Sequence, residues 1–481
     1  MTEISDFGAI VLLVSAGVFL AVLGMRVADW ISVPNAAIFL ITAGLLAASF
    51  DSFRDALSIE VVERIGVVAL IVILFDGGLH IGLARFRRSA KPILMLGILG
   101  TFATWGLVAL AAHYILGISW ITAGLIGAAI APTDPAVTFS VFGGREVRGR
   151  AGTILEGEAG TNDPVGIALM IGMIELATED GGSIAVVFEE FAIEMGIGLA
   201  VGVAGAMLLL PVFRRVRLTS PALYPLRVLA GAGIIYGLAS VAHGSGFLAV
   251  FVAGVLLGDV ALTRKGEIEV FHSSLAALAE IAAFAALGLS VGYSGLDDAT
   301  VWAEGLVLAL VLALVLRPLA LVPLLAPVRL RRGEKLFIVW GGLKGAVPIL
   351  LGALAVLAGV EDSGRIYGII FVVVLFSVLV QGSSITFVAK RLHVPFRTVD
   401  HDLVETLEFV VGELSFANGR RIEELPLAER AWIGILVRDA RPRSFGPQTV
   451  LEPGDRVQVY GQPETAPALR RIFAGRSQSY E

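Results

Sequence analysis

The chain has 481 residues, of which 56% are hydrophobic and only 16% are charged. Soluble globular proteins carry about 25% charged residues, so this composition excludes an ordinary soluble enzyme and a disordered chain. The absence of cysteine excludes disulfides, thiolate metal sites and a cysteine nucleophile. The net charge of −6 gives no reason to expect a nucleic-acid partner. The composition predicts a polytopic membrane protein in contact with lipid.

Thirteen apolar segments are long enough to cross about 30 Å of hydrocarbon. The first residues lack the basic region of a signal peptide, so we expect the first segment to be retained as a span. The approximate limits of the segments are 7–27, 31–49, 62–82, 92–115, 118–142, 152–177, 187–213, 228–243, 246–261, 275–293, 300–327, 335–358 and 367–389.

The basic residues test this count independently. Of the 25 Lys and Arg residues before residue 397, 20 fall in alternate connections on one side of the membrane and three on the other. The remaining two, Arg317 and Lys344, lie inside spans. By the positive-inside rule, the N-terminus is expected outside and the C-terminus in the cytoplasm. We therefore expect a multi-pass protein of the plasma (inner) membrane.

The composition changes near residue 400, where charges become dense and apolar runs short. The runs Leu407–Val411 and Arg456–Tyr460 predict strands, with a turn at 451–455. We expect a small α+β cytoplasmic domain, which is too small to bury a large core alone and so dimerises or docks. The predicted divisions are 1–392 for the transmembrane domain, 393–402 for a linker and 403–475 for the C-terminal domain.

Ionisable side chains inside a membrane are energetically costly and mark functional sites. The candidates deep in spans are Asp76, Asp134, Glu156, Glu158, Asp163, Glu280, Arg317 and Lys344. Four other acidic residues, at 175, 194, 259 and 304, lie nearer span ends, where snorkelling to the interface explains them.

Two spans carry helix-breaking sequences beside a charge. Span 5 contains Ala131-Pro-Thr-Asp-Pro135, in which two prolines remove backbone donors and free carbonyls that can coordinate a cation. Span 12 contains Trp340-Gly-Gly-Leu-Lys-Gly-Ala-Val-Pro348 and runs in the opposite direction. Paired interruptions of opposite direction are typical of inverted-repeat transporters with a site at the midplane. Ordinary Gly/Pro kinks are the alternative, which the charge beside each break disfavours.

Asp163 lies near the middle of span 6, beside Asn162. A carboxylate can hold either a proton or a monovalent cation, and competition between the two at one site produces exchange. A single titrating carboxylate permits one-for-one, electroneutral exchange, whereas a second Asp at 162 would suggest two protons. Glu158 and Arg317 are the expected structural ion pair. For Asp76, a position on the ion path and a pairing with the basic residues remain open.

Five motifs in order resemble the NhaP-type monovalent cation/proton antiporters, cation:proton antiporter family one. The resemblance covers about residues 7–392 and implies a homodimer of thirteen-helix protomers built from inverted repeats with two crossed, broken helices. It implies that Asp163 binds cation and proton, that Thr133 and Asp134 contribute at the crossing, that Asn162 steadies it, and that Asp76 lies near the ion path. The motifs are Thr133-Asp-Pro135, Asn162-Asp-Pro164, Phe75-Asp-Gly-Gly-Leu79, Arg317-Pro318 and Trp340-Gly-Gly-Leu-Lys-Gly-Ala-Val347.

The sequence departs from the family pattern at three positions. Ala159 stands where some members have a Ser able to contact the ion, Lys344 replaces the more usual Arg, and Asp76 is shorter than the Glu often found there. The missing Ser leaves the cation selectivity open. The broken helix of span 12 keeps a positive charge at Lys344.

The C-terminal domain resembles the C-terminal half of regulator-of-potassium-conductance modules, at 422–426, 433–438 and 452–457. The region has no Gly-x-Gly-x-x-Gly, so the nucleotide-binding half is expected to be absent. Antiporters with this module are often potassium/proton exchangers, which favours K⁺. The resemblance also implies regulation by a small ligand, such as the nucleotide cyclic di-AMP.

The sequence therefore predicts an electroneutral K⁺/H⁺ antiporter working by alternating access, with a role in pH homeostasis. A Na⁺/H⁺ antiporter of the same mechanism is the alternative. A gated cation channel is disfavoured because the chain has no Thr-Val-Gly-Tyr-Gly filter. An intramembrane aspartyl protease is disfavoured because no Tyr-Asp pair occurs. We expect no enzymatic activity and no cofactor.

Overall fold

A computed structural model describes the helical and sheet regions of the chain, which divides into two compact units, Met1–Arg397 and Thr398–Glu481. Most of the first predicted span, 7–27, lies outside the described residues, as does Pro135. The described residues are 19, 34–49, 57–134, 145–147, 149–178, 184–293, 295–398, 405–427, 431–439, 441–461 and 466–473.

The first unit is mostly helical. Its first seven described helices are α1 (Asn35–Ser49), α2 (Ile59–Leu94), α3 (Thr101–Leu116), α4 (Trp120–Ile130), α5 (Arg150–Thr178), α6 (Ile184–Arg215) and α7 (Leu223–Val241). The next eight are α8 (Gly246–Gly258), α9 (Lys265–Leu289), α10 (Ala299–Val311), α11 (Arg317–Leu325), α12 (Arg332–Trp340), α13 (Ala346–Leu357), α14 (Ser363–Phe376) and α15 (Ser383–Arg391).

Six continuous helical stretches among the described residues are long and apolar enough to cross a membrane. They support the multi-pass membrane prediction, and four shorter apolar helices, α1, α4, α8 and α13, accompany them. The count of thirteen crossings stays a prediction. The six stretches are Ile59–Leu116, Ile184–Arg215, Leu223–Val241, Lys265–Tyr293, Ala299–Leu325 and Ser363–Arg391.

The helix α2 contains a kink that the apolar pattern alone does not reveal. Gly82 has φ 65° and ψ 159°, a conformation that glycine adopts without strain. A Cβ atom at Gly82 would lie 2.6 Å from Oδ1 of Asp259. The other carboxylate oxygen of Asp259 accepts a hydrogen bond from the Ala84 N–H. Asp259 thus satisfies a backbone donor at the kink, a more specific role than the snorkelling expected from its place near a span end.

In the described part of the chain, three stretches of π-helix interrupt the α-helical hydrogen bonding: Met95–Gly100, Leu312–Leu316 and Ser377–Gly382. Such turns are rare and occur frequently at functional sites. The second comes directly before Arg317, and the third begins at Ser377, which contacts the break between α12 and α13. A short 3₁₀ turn, Ser290–Tyr293, extends α9.

Two short strands, β1 (Arg145–Val147) and β2 (Phe396–Thr398), form a two-stranded sheet.

The described part of the C-terminal unit is a small sheet with one α-helix, and it confirms the two strands predicted from the sequence. Its elements are β3 (Glu405–Val410), β4 (Trp432–Arg438), β5 (Arg441–Arg443), β6 (Arg456–Gly461) and α16 (Ala466–Phe473). The four strands are antiparallel and lie in the order β3-β6-β4-β5. The buried core of this unit includes Val457, Val459 and Phe473.

Candidate functional site: two helix breaks beside Asp163

The helix α4 ends at Ile130, and the next residues leave the helix at the first proline of the motif. Thr133 follows there, 2% exposed, and faces Asn162 on α5. The Thr133 N–H donates to Asn162 Oδ1 at 3.3 Å, and Asn162 Nδ2 donates to Thr133 Oγ1 at 2.8 Å. This two-way contact uses both ends of the Asn162 amide. It joins the break after α4 to the middle of α5.

The second break lies between α12, which ends at Trp340, and α13, which begins at Ala346. The two breaks touch through their backbones, because the Asp134 N–H donates to the Leu343 carbonyl at 2.8 Å. A Cβ atom at Gly345 would lie 1.9 Å from Oδ2 of Asp134. Glycine at 345 therefore permits the close approach of the two breaks.

Lys344 is buried, at 2% exposed, and its ammonium lies at the end of α4. Its Nζ donates to the carbonyls of Ala131 and Pro132, both at 2.9 Å. A positive charge at a helix C-terminus is favourable because the final carbonyls lack helical partners. The sequence indicated that carbonyls freed by the prolines could coordinate a cation. In this structure the Lys344 ammonium takes two of them.

A polar pair on the third π-helical stretch binds the backbone N–H of Lys344. The Lys344 backbone N–H donates to Ser377 Oγ at 2.9 Å, and Ser377 Oγ donates to Gln381 Oε1 at 2.9 Å. Both side chains are buried. Sequence reasoning missed these residues because neither is charged. Their four-residue spacing in an apolar span was the available signal.

Asp163 is 5% exposed, and its Oδ1 has no hydrogen-bond partner among the described residues. The carboxylate interacts electrostatically with Asp134, which repels it, and with Lys344, which attracts it. A buried oxygen without a donor is energetically unfavourable unless a proton or a cation occupies it. The arrangement can therefore hold either species.

Glu158 and Arg317 are in contact, with Nη2 and Oε1 2.9 Å apart and both residues buried. Arg317 Nε also donates to the Val339 carbonyl at 2.9 Å, near the end of α12. A Cβ atom at Gly342 would lie 1.9 Å from the guanidinium carbon of Arg317. The pair thus connects α5 and α11 with the segment that leads into the second break.

Asp76 lies on α2, and its side chain contacts residues outside the predicted site. His80 Nδ1 is 3.3 Å from Asp76 Oδ1 and 2.9 Å from the Asp76 carbonyl. Ser273 Oγ on α9 donates to Asp76 Oδ1 at 3.3 Å. No hydrogen bond between Asp76 and Thr133, Asn162 or Asp163 occurs in the described part of the chain. His80 and Ser273 were not singled out from the sequence.

The structure therefore brings together Thr133, Asp134, Asn162, Asp163 and Lys344 at the two breaks. Residues 3–391 match the family model described as sodium/hydrogen exchanger, transmembrane. The chain belongs to this family. Residues 407–474 match the TrkA-C domain. This match confirms the resemblance of the C-terminal motifs to the C-terminal half of regulator-of-potassium-conductance modules.

Curated relatives extend this assignment. The chain is 36% identical to the K(+)/H(+) antiporter NhaP of Alkalimonas amylolytica over 396 residues, covering 80% of this chain and 67% of the relative. It is 30% identical to the K(+)/H(+) antiporter NhaP2 of Shewanella sp. (strain ANA-3) over 476 residues, covering 94% and 81%. These matches confirm the resemblance to NhaP-type antiporters.

A solved structure shares the fold of the transmembrane unit. The sodium proton antiporter MjNhaP1 from Methanocaldococcus jannaschii at pH 8 superposes with a TM-score of 0.67. The match covers 79% of this chain and 100% of that chain at 24% sequence identity. This similarity establishes the fold of the exchanger unit.

Proposed function

We propose that the protein is an electroneutral K⁺/H⁺ antiporter working by alternating access. The observation that carries the proposal is the buried Asp163 carboxylate beside the two helix breaks, with Oδ1 free of protein donors among the described residues. The curated relatives named above are K(+)/H(+) antiporters, which supports K⁺ as the cation. A Na⁺/H⁺ antiporter of the same mechanism is the second candidate, favoured by the sodium/hydrogen exchanger family itself.

The exchange follows from competition at one carboxylate. From one side of the membrane, Asp163 gives up its proton and its oxygen binds the cation, with the Thr133 hydroxyl as a further oxygen ligand. The site then opens to the other side, where the cation leaves and a proton returns. Because Asn162 is uncharged, one proton moves against one cation. The membrane potential, worth about 2.3 kcal/mol per charge per 100 mV, then does not drive the exchange.

Each neighbouring residue has a separate role in this proposal. Asp134 adds negative charge at the break and attracts the cation, while Asn162 holds Thr133 in place. Lys344 satisfies the open end of α4, and the ion pair of Glu158 and Arg317 joins α5 to α11. Asp76, with Ser273 and His80, lies on the path by which the cation reaches Asp163.

The proposed architecture is a homodimer of thirteen-span protomers with inverted repeats and two crossed, broken helices. The excess of basic residues in alternate connections supports a cytoplasmic C-terminus and an N-terminus outside, in the plasma (inner) membrane. The match to the TrkA-C domain supports a regulatory ligand for residues 403–475, for which a nucleotide such as cyclic di-AMP is the candidate.

The test uses purified protein in liposomes containing a pH-sensitive dye. Addition of K⁺ should dissipate the imposed pH gradient without an added ionophore, because the exchange moves no net charge. The Asp163→Asn variant should fold but show no such response. Asp297→Asn, which changes an exposed carboxylate outside the spans, is the matched control and should exchange normally. Retained exchange in Asp163→Asn would contradict the assigned role. A response to Na⁺ alone would select the second candidate.

A further inference from the structure

Glu280 is an ionisable residue within α9 that the proposed mechanism does not use. It lies fifteen residues after the start of α9 at Lys265, roughly 22 Å along the helix. Asp163 lies thirteen residues after the start of α5 at Arg150, roughly 20 Å along its helix. On the proposed topology both helices start at the cytoplasmic face. Glu280 and Asp163 then lie at similar distances from the cytoplasmic ends of α9 and α5.

The face of α9 that carries Glu280 points towards the second break. Residues 280, 283 and 287 share one face of a helix because they are three and seven positions apart. Ala283 and Leu287 line a small interhelical cavity together with Ala346 and Leu350 of α13. Ala346 is the first residue of α13 after the break. Glu280 therefore lies about one helical turn from Ala283, which lines this cavity beside the start of α13.

Glu280 also differs from two other acidic residues of the spans, each of which has an arginine partner. Glu158 has the guanidinium of Arg317, and Glu304 has that of Arg365, which bonds both of its oxygens. By contrast, Oε1 of Glu280 is enclosed and has no hydrogen-bond partner in the part of the chain that the structure describes. A carboxylate inside a membrane is energetically costly and is by default a candidate functional site, including a site on an ion pathway.

Glu280 also lies within electrostatic range of the candidate site. Glu280 interacts electrostatically with Asp134, and Asp134 interacts in the same way with Asp163. The three carboxylates thus form a chain of repulsive interactions around the breaks. A cation placed among them relieves this repulsion, and carboxylate oxygens are suitable ligands for hard cations.

We propose that Glu280 is a third acidic residue of the ion path, sharing the transported monovalent cation with Asp134 as it approaches Asp163. This inference rests on the proposed function. Glu280 increases the apparent affinity for the cation by its negative charge and its oxygen atoms. It is a residue of cation binding and leaves the exchange ratio at Asp163 unchanged.

The test measures exchange in liposomes over a series of K⁺ and Na⁺ concentrations at fixed pH. Glu280→Gln should raise the apparent KM by roughly ten-fold, the loss expected for one charged contact, with a much smaller change in the maximal rate. Glu280→Asp keeps the charge and should recover most of the affinity. The matched control is Glu269→Gln on the same helix, at an exposed pair with Lys265, which should keep the wild-type KM.

The outcomes separate this inference from the proposed function. Wild-type KM in a folded Glu280→Gln variant would overturn the inference while the exchange of the wild type stands. If the wild-type protein moves no protons with any cation, the proposed function itself fails. Detergent gel filtration identifies a folding defect, and in that case the Glu280→Asp variant carries the test. Equal losses of affinity in Glu280→Asp and Glu280→Gln would show that shape rather than charge is needed, which also overturns the inference.

Discussion

The ammonium of Lys344 donates a hydrogen bond of 2.9 Å to the carbonyl of Ala131, at the point where α4 ends. The two residues are 213 positions apart in the chain. This contact, with the second one to Pro132, satisfies two carbonyls that the proline motif leaves without helical partners. Lys344 thereby connects the two breaks through its side chain, and the hydrogen bond from the Asp134 N–H to the Leu343 carbonyl connects them through the backbone.

Replacement of Lys344 by Met should lower the stability of the protein and abolish exchange. The substitution leaves the carbonyls of Ala131 and Pro132 buried without a donor. Because Met also removes the cost of burying a charge, we expect a net loss of about 2 kcal/mol in the free energy of unfolding. Thermal unfolding in detergent and liposome exchange measure the two effects. Lys344→Arg keeps a cationic donor and should remain closer to the wild type. A Lys344→Met variant as stable as the wild type would show that water replaces the ammonium.

Removal of the Thr133 hydroxyl should disturb the first break without changing the shape of the side chain. In Thr133→Val, Nδ2 of Asn162 loses its acceptor in a buried place, which costs about 1–3 kcal/mol. We expect a lower melting temperature and a raised KM for the cation. Thr133→Ser retains the hydroxyl and is the matched control. Equal KM values for the Val and Ser variants would remove Thr133 from the cation site.

The ion pair of Glu158 and Arg317 is suited to a double-mutant cycle. Each single change, Glu158→Gln or Arg317→Met, leaves one buried charge without its partner and should destabilise the protein by about 3–5 kcal/mol. The double variant should lose less than the sum of the two single losses, because no unpaired charge remains. Unfolding in detergent measures all four proteins. Strictly additive losses would argue against a coupled pair.

In the C-terminal unit, Asp455 makes stability dependent on pH. Its burial alone would raise the pKa, but hydrogen bonds from the Arg438 guanidinium and the Glu452 N–H outweigh this and hold the pKa below its ordinary value of 3.8. A lowered pKa in the folded state means that the stabilisation is complete above about pH 4 and disappears as the pH falls through the folded pKa.

Hydrogen exchange of β4 and β6 in the full-length protein tests this dependence. Asp455→Asn should lower the free energy of opening at neutral pH by about 2 kcal/mol, because a charged hydrogen-bonding group is lost. The same variant should show a flatter dependence on pH in the acid range. An opening free energy of the wild type that stays constant down to pH 3 would contradict the assignment.

Much of the site could be predicted from the sequence because charges and prolines are conspicuous in apolar spans. Asp163, Asp134 and Lys344 are conspicuous because charges in spans are costly, and Gly and Pro predict the two breaks. Ser377 and Gln381 could not be identified in this way, since uncharged polar side chains are common in spans. The kink at Gly82 and its partner Asp259 also needed the structure, because a glycine in an apolar run does not reveal its φ angle.

The sequence by itself determined the membrane class and the ionisable residues that the spans contain. Low charge, long apolar runs and isolated carboxylates follow from the solvent that each segment meets, and solvent preference is a local property of the residues. Only the tertiary structure decided which groups meet: the ammonium of Lys344 with the end of α4, Asn162 with Thr133, and Asp134 with Leu343. Those pairings depend on hydrogen-bond geometry between segments far apart in the chain, and that geometry exists only after the helices have packed.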